Sequence, residues 1–348
     1  MDLSNVTLLI LSHNRQHCLK RTLDFYSGTK LNLLVLDNSP SDLDQKFIPV
    51  NCRYFNSEES FANRSGQAAK LILTPYTIIG ADDEIYLPSA LEKMRDFLDT
   101  HPDYVAAGGN AIAVWKYGPI IAANWAYKNT FRYHNHADSA YERIRLHTGD
   151  GSRPMTSFFT CNLVRTSAAR DCLNMYSKAP VLATDAISVL SICGAGKSKY
   201  LDVAYWIRNW NQSPRSHSGW DRRIFLHEWW RDPINADNRR SFQNDLRSIY
   251  MTFSQDSEFE NSWNLILKSD EVLQQRSSYS STHFARFSEM PTFKLAKYWI
   301  KKILKPGSLP SALEAVSASM KESDIQISED ELSKASLIVS QLRPYKNW

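Results

Sequence analysis

The chain has 348 residues, enough for one large domain or two modest ones. At 43% apolar, 22% charged and a net charge of +4, it is globular in composition and too nearly neutral to point to nucleic acid as a partner. Its apolar runs fall well short of the roughly 20 residues of a membrane span, and its five scattered cysteines (Cys18, Cys52, Cys161, Cys172, Cys193) lack metal-site spacing and read as reduced thiols of a cytoplasmic protein.

The opening Met1-Asp2-Leu3-Ser4-Asn5 lacks the basic start of a signal peptide. Val6–Leu11 predicts a buried strand, Arg15–Ser27 a helix stopped by Gly28, and Leu31–Leu36 a second strand ending in the turn residues Asp37-Asn38-Ser39-Pro40. A short strand over Cys52–Phe55, a helix over Ser65–Leu73 and a strand over Tyr76–Gly80 follow. Pro88–Thr100 reads as a helix with proline at its start, and Tyr104–Ala107 as another strand. Continuously apolar strands separated by helices imply a parallel sheet covered on both faces.

The region 108–218 is less regular: Ser157–Arg165 reads as a strand, and Ala179–Cys193 as a helical segment with Asp185 at its mouth. Beyond Gly219 the composition turns helical, through Trp229, Trp230 and Phe242–Met251. From Ser308 the chain reads as a helical appendage with apolar spacing at Leu332, Ala335, Ile338, Val339 and Leu342. The expected division is 1–218, split into a nucleotide-binding half (1–107) and an acceptor half (108–218), followed by a helical region, 219–348.

The chemistry gathers at strand ends. Ser12-His13-Asn14, Asp37-Asn38-Ser39 and Asp82-Asp83-Glu84 each follow an apolar run, and ligands of such sheets bind at the carboxyl ends of the strands. Three consecutive acids there repel one another and lose hydration. The usual compensation is a hard dication, Mg²⁺ or Mn²⁺, carrying a substrate phosphate. On an extended segment Asp82 and Glu84 point the same way, with Asp83 pointing elsewhere.

In order and spacing these segments resemble the family 2-like glycosyltransferases of GT-A fold, which use nucleotide sugars. The resemblance is carried by Leu9-Ile10-Leu11-Ser12-His13-Asn14-Arg15, Leu33-Leu34-Val35-Leu36-Asp37-Asn38-Ser39, Phe61-Ala62-Asn63-Arg64-Ser65-Gly66 and Asp82-Asp83-Glu84-Ile85-Tyr86-Leu87-Pro88. It covers about 6–110 well and 155–217 more loosely; Glu84 stands where the family's Asp-x-Asp motif ends in aspartate. It implies an α/β GT-A domain, here with a C-terminal helical extension, that binds a nucleoside diphosphate sugar. Ser12, Asn14, Arg15, Asp37, Asn38, Arg64, Asp82 and Asp83 would line the donor site. Asp37 would accept hydrogen bonds from base or ribose, and Arg64 would face the diphosphate. Glu84 and Asp82 would hold the metal, with His217 completing its shell. Arg208 and His217 would close over the diphosphate on a late loop, and Asp185 would be the general base of an inverting transfer. Bland roles stand beside these: Asp37 as a turn cap, Asn14 or Asp185 as a helix cap, Arg64 and His217 as surface residues.

By family analogy the acceptor is a glycan or lipid-linked saccharide of surface polysaccharide synthesis. A basic amphipathic stretch at 292–305 would suit peripheral contact with a membrane's inner face, or packing against the domain with its lysines in water. A sugar-phosphate nucleotidylyltransferase and a non-catalytic nucleotide- or glycan-binding module of the same fold are the rival readings. The absence of glycine from Ser12-His13-Asn14-Arg15 counts against the first, and the intact acids against the second.

Overall fold

The structure is a computed structural model that describes residues 2–117, 120–126, 135–154, 158–209, 225–288, 309–310, 312–313 and 327–340. Among these, β1 (Val6–His13), β2 (Asn32–Asn38), β3 (Cys52–Asn56) and β4 (Tyr76–Gly80) form the parallel part of one sheet. The sheet runs in the order β3-β2-β1-β4-β8-β6-β9-β5. Its remaining strands are β5 (Glu84–Tyr86), β6 (Tyr104–Tyr117), β7 (Ile120–Ala126), which pairs with β6, β8 (Leu163–Arg165) and β9 (Lys197–Asn209).

The expected α/β class holds, but the sheet is parallel only in its first half. From β8 onward it is mixed: β8 runs antiparallel to both neighbours, and β5 antiparallel to β9. The predicted strand at 157–165 is instead the short helix α5 (Phe158–Cys161; numbered in chain order with those below) followed by a three-residue strand. The long strands β6 and β9 were not legible as such. β6 carries two adjacent glycines, which break the apolar run. Asn162 fills the space a Gly108 side chain would need, and the Val203 carbonyl the space beside Gly109.

The helices are α1 (Gln16–Tyr26), α2 (Phe61–Leu71), α3 (Pro88–Thr100), α4 (Ala140–Thr148), α6 (Thr166–Tyr176), α7 (Thr184–Ser188), α8 (Leu226–Arg231), α9 (Ala236–Tyr250), α10 (Asp256–Ser288) and α11 (Glu329–Ser340). α2 starts four residues before the predicted Ser65, because Ser60 Oγ accepts from the Asn63 amide at 3.2 Å and caps it.

Period-two alternation sorts the strands onto two cores. Leu8, Ile10, Leu33 and Val35 face one side with Leu19 and Leu23 of α1 and Leu91 and Met94 of α3. Leu9, Leu34 and Leu36 face the other with Ala68 of α2 and Leu173 of α6. The C-terminal region is no appendage: Phe242, Leu246, Phe259, Trp263 and Ile266 belong to the second core, and Ala335, Ile338 and Val339 to the first. Glu331 accepts hydrogen bonds from the Ser89 amide (2.7 Å) and hydroxyl (2.6 Å), tying α11 to the start of α3. Among the described residues no helix is long and apolar enough to cross a membrane. The stretch 292–305 lies outside the described residues.

Candidate active site

The parallel register brings the predicted strand ends together: Ser12 lies opposite Asp37, and His13 opposite Asn38. Ile10 lies opposite Gly80, the last residue of β4. The chain then bends through 81–83, and Glu84 opens β5 directly across from Arg208 of β9.

The acid triplet does not follow simple strand parity. Asp82 turns toward β1 and α1. Ser12 Oγ donates to its Oδ2 at 2.8 Å, and Thr22 Oγ1 donates to its backbone carbonyl at 2.7 Å. Arg15 Nη2 lies 3.2 Å from Asp82 Oδ1 and also pairs with Asp83. Burial pushes the Asp82 carboxyl up to about 6, although Arg15 pulls the other way. Glu84 turns toward β9: the Tyr86 hydroxyl donates to its Oε2 at 3.1 Å, and Arg208 Nε lies 3.4 Å from its Oε1. Burial pushes Glu84 up to about 7, against the pull of Arg208. Asp83 lies between, its charge raising the proton affinity of both neighbours.

The support beneath Glu84 is aromatic. Tyr86 stacks on Trp206 with centroids 6.0 Å apart and planes 9° from parallel. A Cβ on Gly80 would come within 2.8 Å of the Tyr86 ring, so glycine is needed there for close approach. Tyr26 locks the backbone of Tyr86 by accepting from its amide (2.7 Å) and donating to its carbonyl (3.0 Å). Sequence reasoning missed Thr22, Tyr26 and Tyr86, because nothing in the residue pattern announces a contact across some 60 positions.

Two expected ligand residues also make contacts within the frame. Arg64 is almost fully buried and donates to the carbonyls of Ser12 (2.5 Å), Leu36 (2.8 Å) and Glu59 (3.2 Å), clamping β1 to β2. Asp37 is completely buried and accepts from Ser39 Oγ (2.8 Å), Tyr54 OH (3.0 Å) and Gln16 Nε2 (3.3 Å). Arg208 lies in β9, not on a closing loop, and His217 lies outside the described residues.

Asn14 and His13 are exposed beside the triplet, Asn14 in the left-handed region at φ 54°. His13 Nδ1 lies 2.7 Å from Asn38 Oδ1, which makes His13 a rim residue that the sequence reading passed over. Asp185 sits half-buried in the first turn of α7. The charges of Glu84 and, more weakly, Asp185 add to burial in raising the proton affinity of the half-buried Cys161 thiol.

The donor chemistry fits a hard dication: neighbouring carboxylates, two of them raised in proton affinity chiefly by burial, and a buried Asp82 Oδ1 that receives no hydrogen bond. Among the described residues no three His, Cys, Asp or Glu side chains converge on one point, so protein groups alone do not complete a shell there.

Neither a protein-family model nor a curated protein matches the sequence. Among solved structures, the chain is similar to S. aureus TarS 1–349 in complex with UDP, at 10% identity and a TM-score of 0.46, covering 86% of this chain and 78% of that one. It is also similar to TarS 1–349 in complex with UDP-GlcNAc, at 10% identity and a TM-score of 0.41, covering 80% of this chain and 92% of that one. The likeness is one of chain course.

Proposed function

We propose that the protein transfers a glycosyl unit from a nucleoside diphosphate sugar to a hydroxyl of a glycan or lipid-linked saccharide, with inversion and with a divalent Mn²⁺ or Mg²⁺ ion. The observation that carries this reading is the gathering of Asp82, Asp83 and Glu84 where the parallel strands end, with Arg15 and Arg208 against them. Asp82 and Glu84 would hold the ion, with Asp83 alongside. When bound, it would neutralise charge growing on the departing diphosphate.

The chain's own groups supply the rest. Ser12 and Thr22 fix Asp82, and Tyr86 fixes Glu84, so the carboxylates meet the donor pre-oriented. Asp185 is assigned as the base. Its carboxylate takes the acceptor's hydroxyl proton as the new C–O bond forms at the anomeric carbon, and the bond to the diphosphate breaks with the electron pair leaving on phosphate oxygen. A single displacement of this kind inverts the anomeric centre. A cytoplasmic location and a role in surface polysaccharide synthesis belong to the same proposal.

Calorimetry of UDP and GDP with and without Mn²⁺, followed by a turnover screen of their sugars against saccharide acceptors, tests it. Metal-dependent nucleotide binding and release of nucleoside diphosphate are expected. Nucleotide binding without turnover on any sugar would leave a non-catalytic module of the same fold, and no nucleotide binding at all would overturn the reading.

A further inference from the structure

His227 stands in the first turn of α8, 5% exposed, against Asp270 of α10, 3% exposed. Its Nδ1 lies 2.6 Å from Asp270 Oδ2, and its backbone amide donates to the same oxygen at 3.0 Å. Its Nε2 lies 3.1 Å from Oε1 of Gln274, one turn further along α10. The Gln274 amide is oriented by its other end. Its Nε2 donates to Glu228 Oε1 at 2.6 Å, while Glu228 Oε2 accepts from the Phe225 amide at 2.9 Å, just ahead of α8. Turning the Gln274 amide over would set its oxygen against the Glu228 carboxylate, so the oxygen belongs on the side of the ring.

Both ring nitrogens therefore face oxygens, and a neutral imidazole carries only one N–H. Two donors exist only when the ring holds a second proton. Asp270 gives that charge a partner: it is a buried carboxylate, costly to leave unpaired, and among the described residues no lysine or arginine pairs with it. The other charged groups at this junction are Glu228 and Arg231 of α8 and Glu271 of α10, and the last two pair with each other. We propose that His227 joins α8 to α10 as a doubly protonated ring, which makes the junction a pH-sensitive latch, closed by the second proton and loosened when it leaves. Without that proton Asp270 keeps the remaining N–H, and a bare Nε2 faces the Gln274 oxygen. Gln274 then gives up either the ring or Glu228, and with Glu228 goes the tie to the start of α8. Trp230 still packs on Trp263 of α10, with ring centroids 5.0 Å apart, so the junction slackens without separating. Histidine ordinarily changes its charge between pH 5 and 8, where such a latch responds to modest changes in acidity. The latch lies outside the acid cluster and does not depend on glycosyl transfer.

Two measurements on the full chain test it. Nitrogen-15 spectra of histidine-labelled protein, with His227 assigned by its loss in His227→Asn, should show two protonated ring nitrogens at pH 7, where an unpaired histidine is mostly neutral. A neutral ring at pH 7 overturns the proposal. Denaturant unfolding of wild type and His227→Asn is then compared from pH 5 to 9. A proton held more tightly by the folded chain stabilises it in full at the acid end and less as pH rises. The advantage of wild type should therefore be largest at pH 5 and fall toward pH 9, by at most about tenfold in the unfolding constant per pH unit, the limit for one proton. A difference that is flat, or that grows with pH, overturns the latch. Gln274→Met keeps the ring and its pairing with Asp270, and serves where His227→Asn does not fold. Its ring should release the second proton at lower pH than in wild type, and an unmoved titration overturns the latch as well.

Discussion

Two carboxylate sites lie side by side at the strand ends, and they are built on opposite principles. Asp37 is completely buried and surrounded by neutral donors from Ser39, Tyr54 and Gln16, while Arg64 beside it is spent on backbone carbonyls. The triplet Asp82–Glu84 is balanced by guanidinium charges, and two of its members hold protons more tightly than ordinary carboxylates. The first arrangement is satisfied from within and fixes geometry. The second is balanced by charge at the edge of the sheet, with two of its carboxyls shifted upward by burial. A residue type at a strand end therefore does not announce its role; its hydrogen-bond partners do.

The sharpest way to break this contrast is to neutralise acids on the ligand side. Asp185→Asn should leave donor binding intact and cut turnover by about 10²–10⁴, the usual contribution of a general base. Turnover within a few fold of wild type removes Asp185 from the mechanism. Asp82→Asn and Glu84→Gln should each abolish metal-assisted nucleotide binding in calorimetry while circular dichroism stays native. Unchanged affinity in both would erase the distinction between the two sites.

On the frame side the expected effect is stability rather than ligand affinity. Arg64→Met removes the donors to the carbonyls of Ser12, Leu36 and Glu59 and leaves buried acceptors unpaired, at a cost of about 2–4 kcal/mol. Denaturant unfolding should show that loss, with nucleotide affinity of the folded fraction unchanged. A variant of native stability that has lost nucleotide affinity would return Arg64 to the diphosphate.

The same contrast explains what was legible in the sequence. The apolar runs of β1, β2 and β4 and the proline start of α3 are local signals, and the structure keeps them with their ends shifted by a residue or two at most. The convergence of Ser12 on Asp82 was legible too, since both follow buried parallel strands. The partners that decide roles were not. Arg64 meets Leu36 across 28 positions, and Arg208 meets Glu84 only through the antiparallel β5–β9 pairing. Short β5 and the glycine-broken β6 carry no periodicity long enough to reveal that pairing. The C-terminal helices misled differently: their amphipathic spacing was visible, but not which face of a sheet 100 or more residues upstream they would cover.

The smallest expected effect concerns pH. The folded-state proton affinity of Glu84 is raised to about 7 from an ordinary value near 4.5, chiefly by burial. A carboxyl with a raised folded value favours folding while it stays protonated. Its contribution is fully present below about pH 4.5 and is lost as pH climbs through about 7, where the folded protein must carry the charge. In metal-free solution the stability difference between Glu84→Gln and wild type should grow in the variant's favour across that window. It should then level off above it. Comparing the two proteins cancels the titrating groups that do not interact with this carboxylate. Saturating Mg²⁺ should restore wild-type stability at pH 8 and leave the variant behind. A difference that is flat from pH 4.5 to 7, or that grows toward low pH, would mean that Arg208 already satisfies Glu84 as fully as Ser39, Tyr54 and Gln16 satisfy Asp37, and the two strand ends would be alike after all.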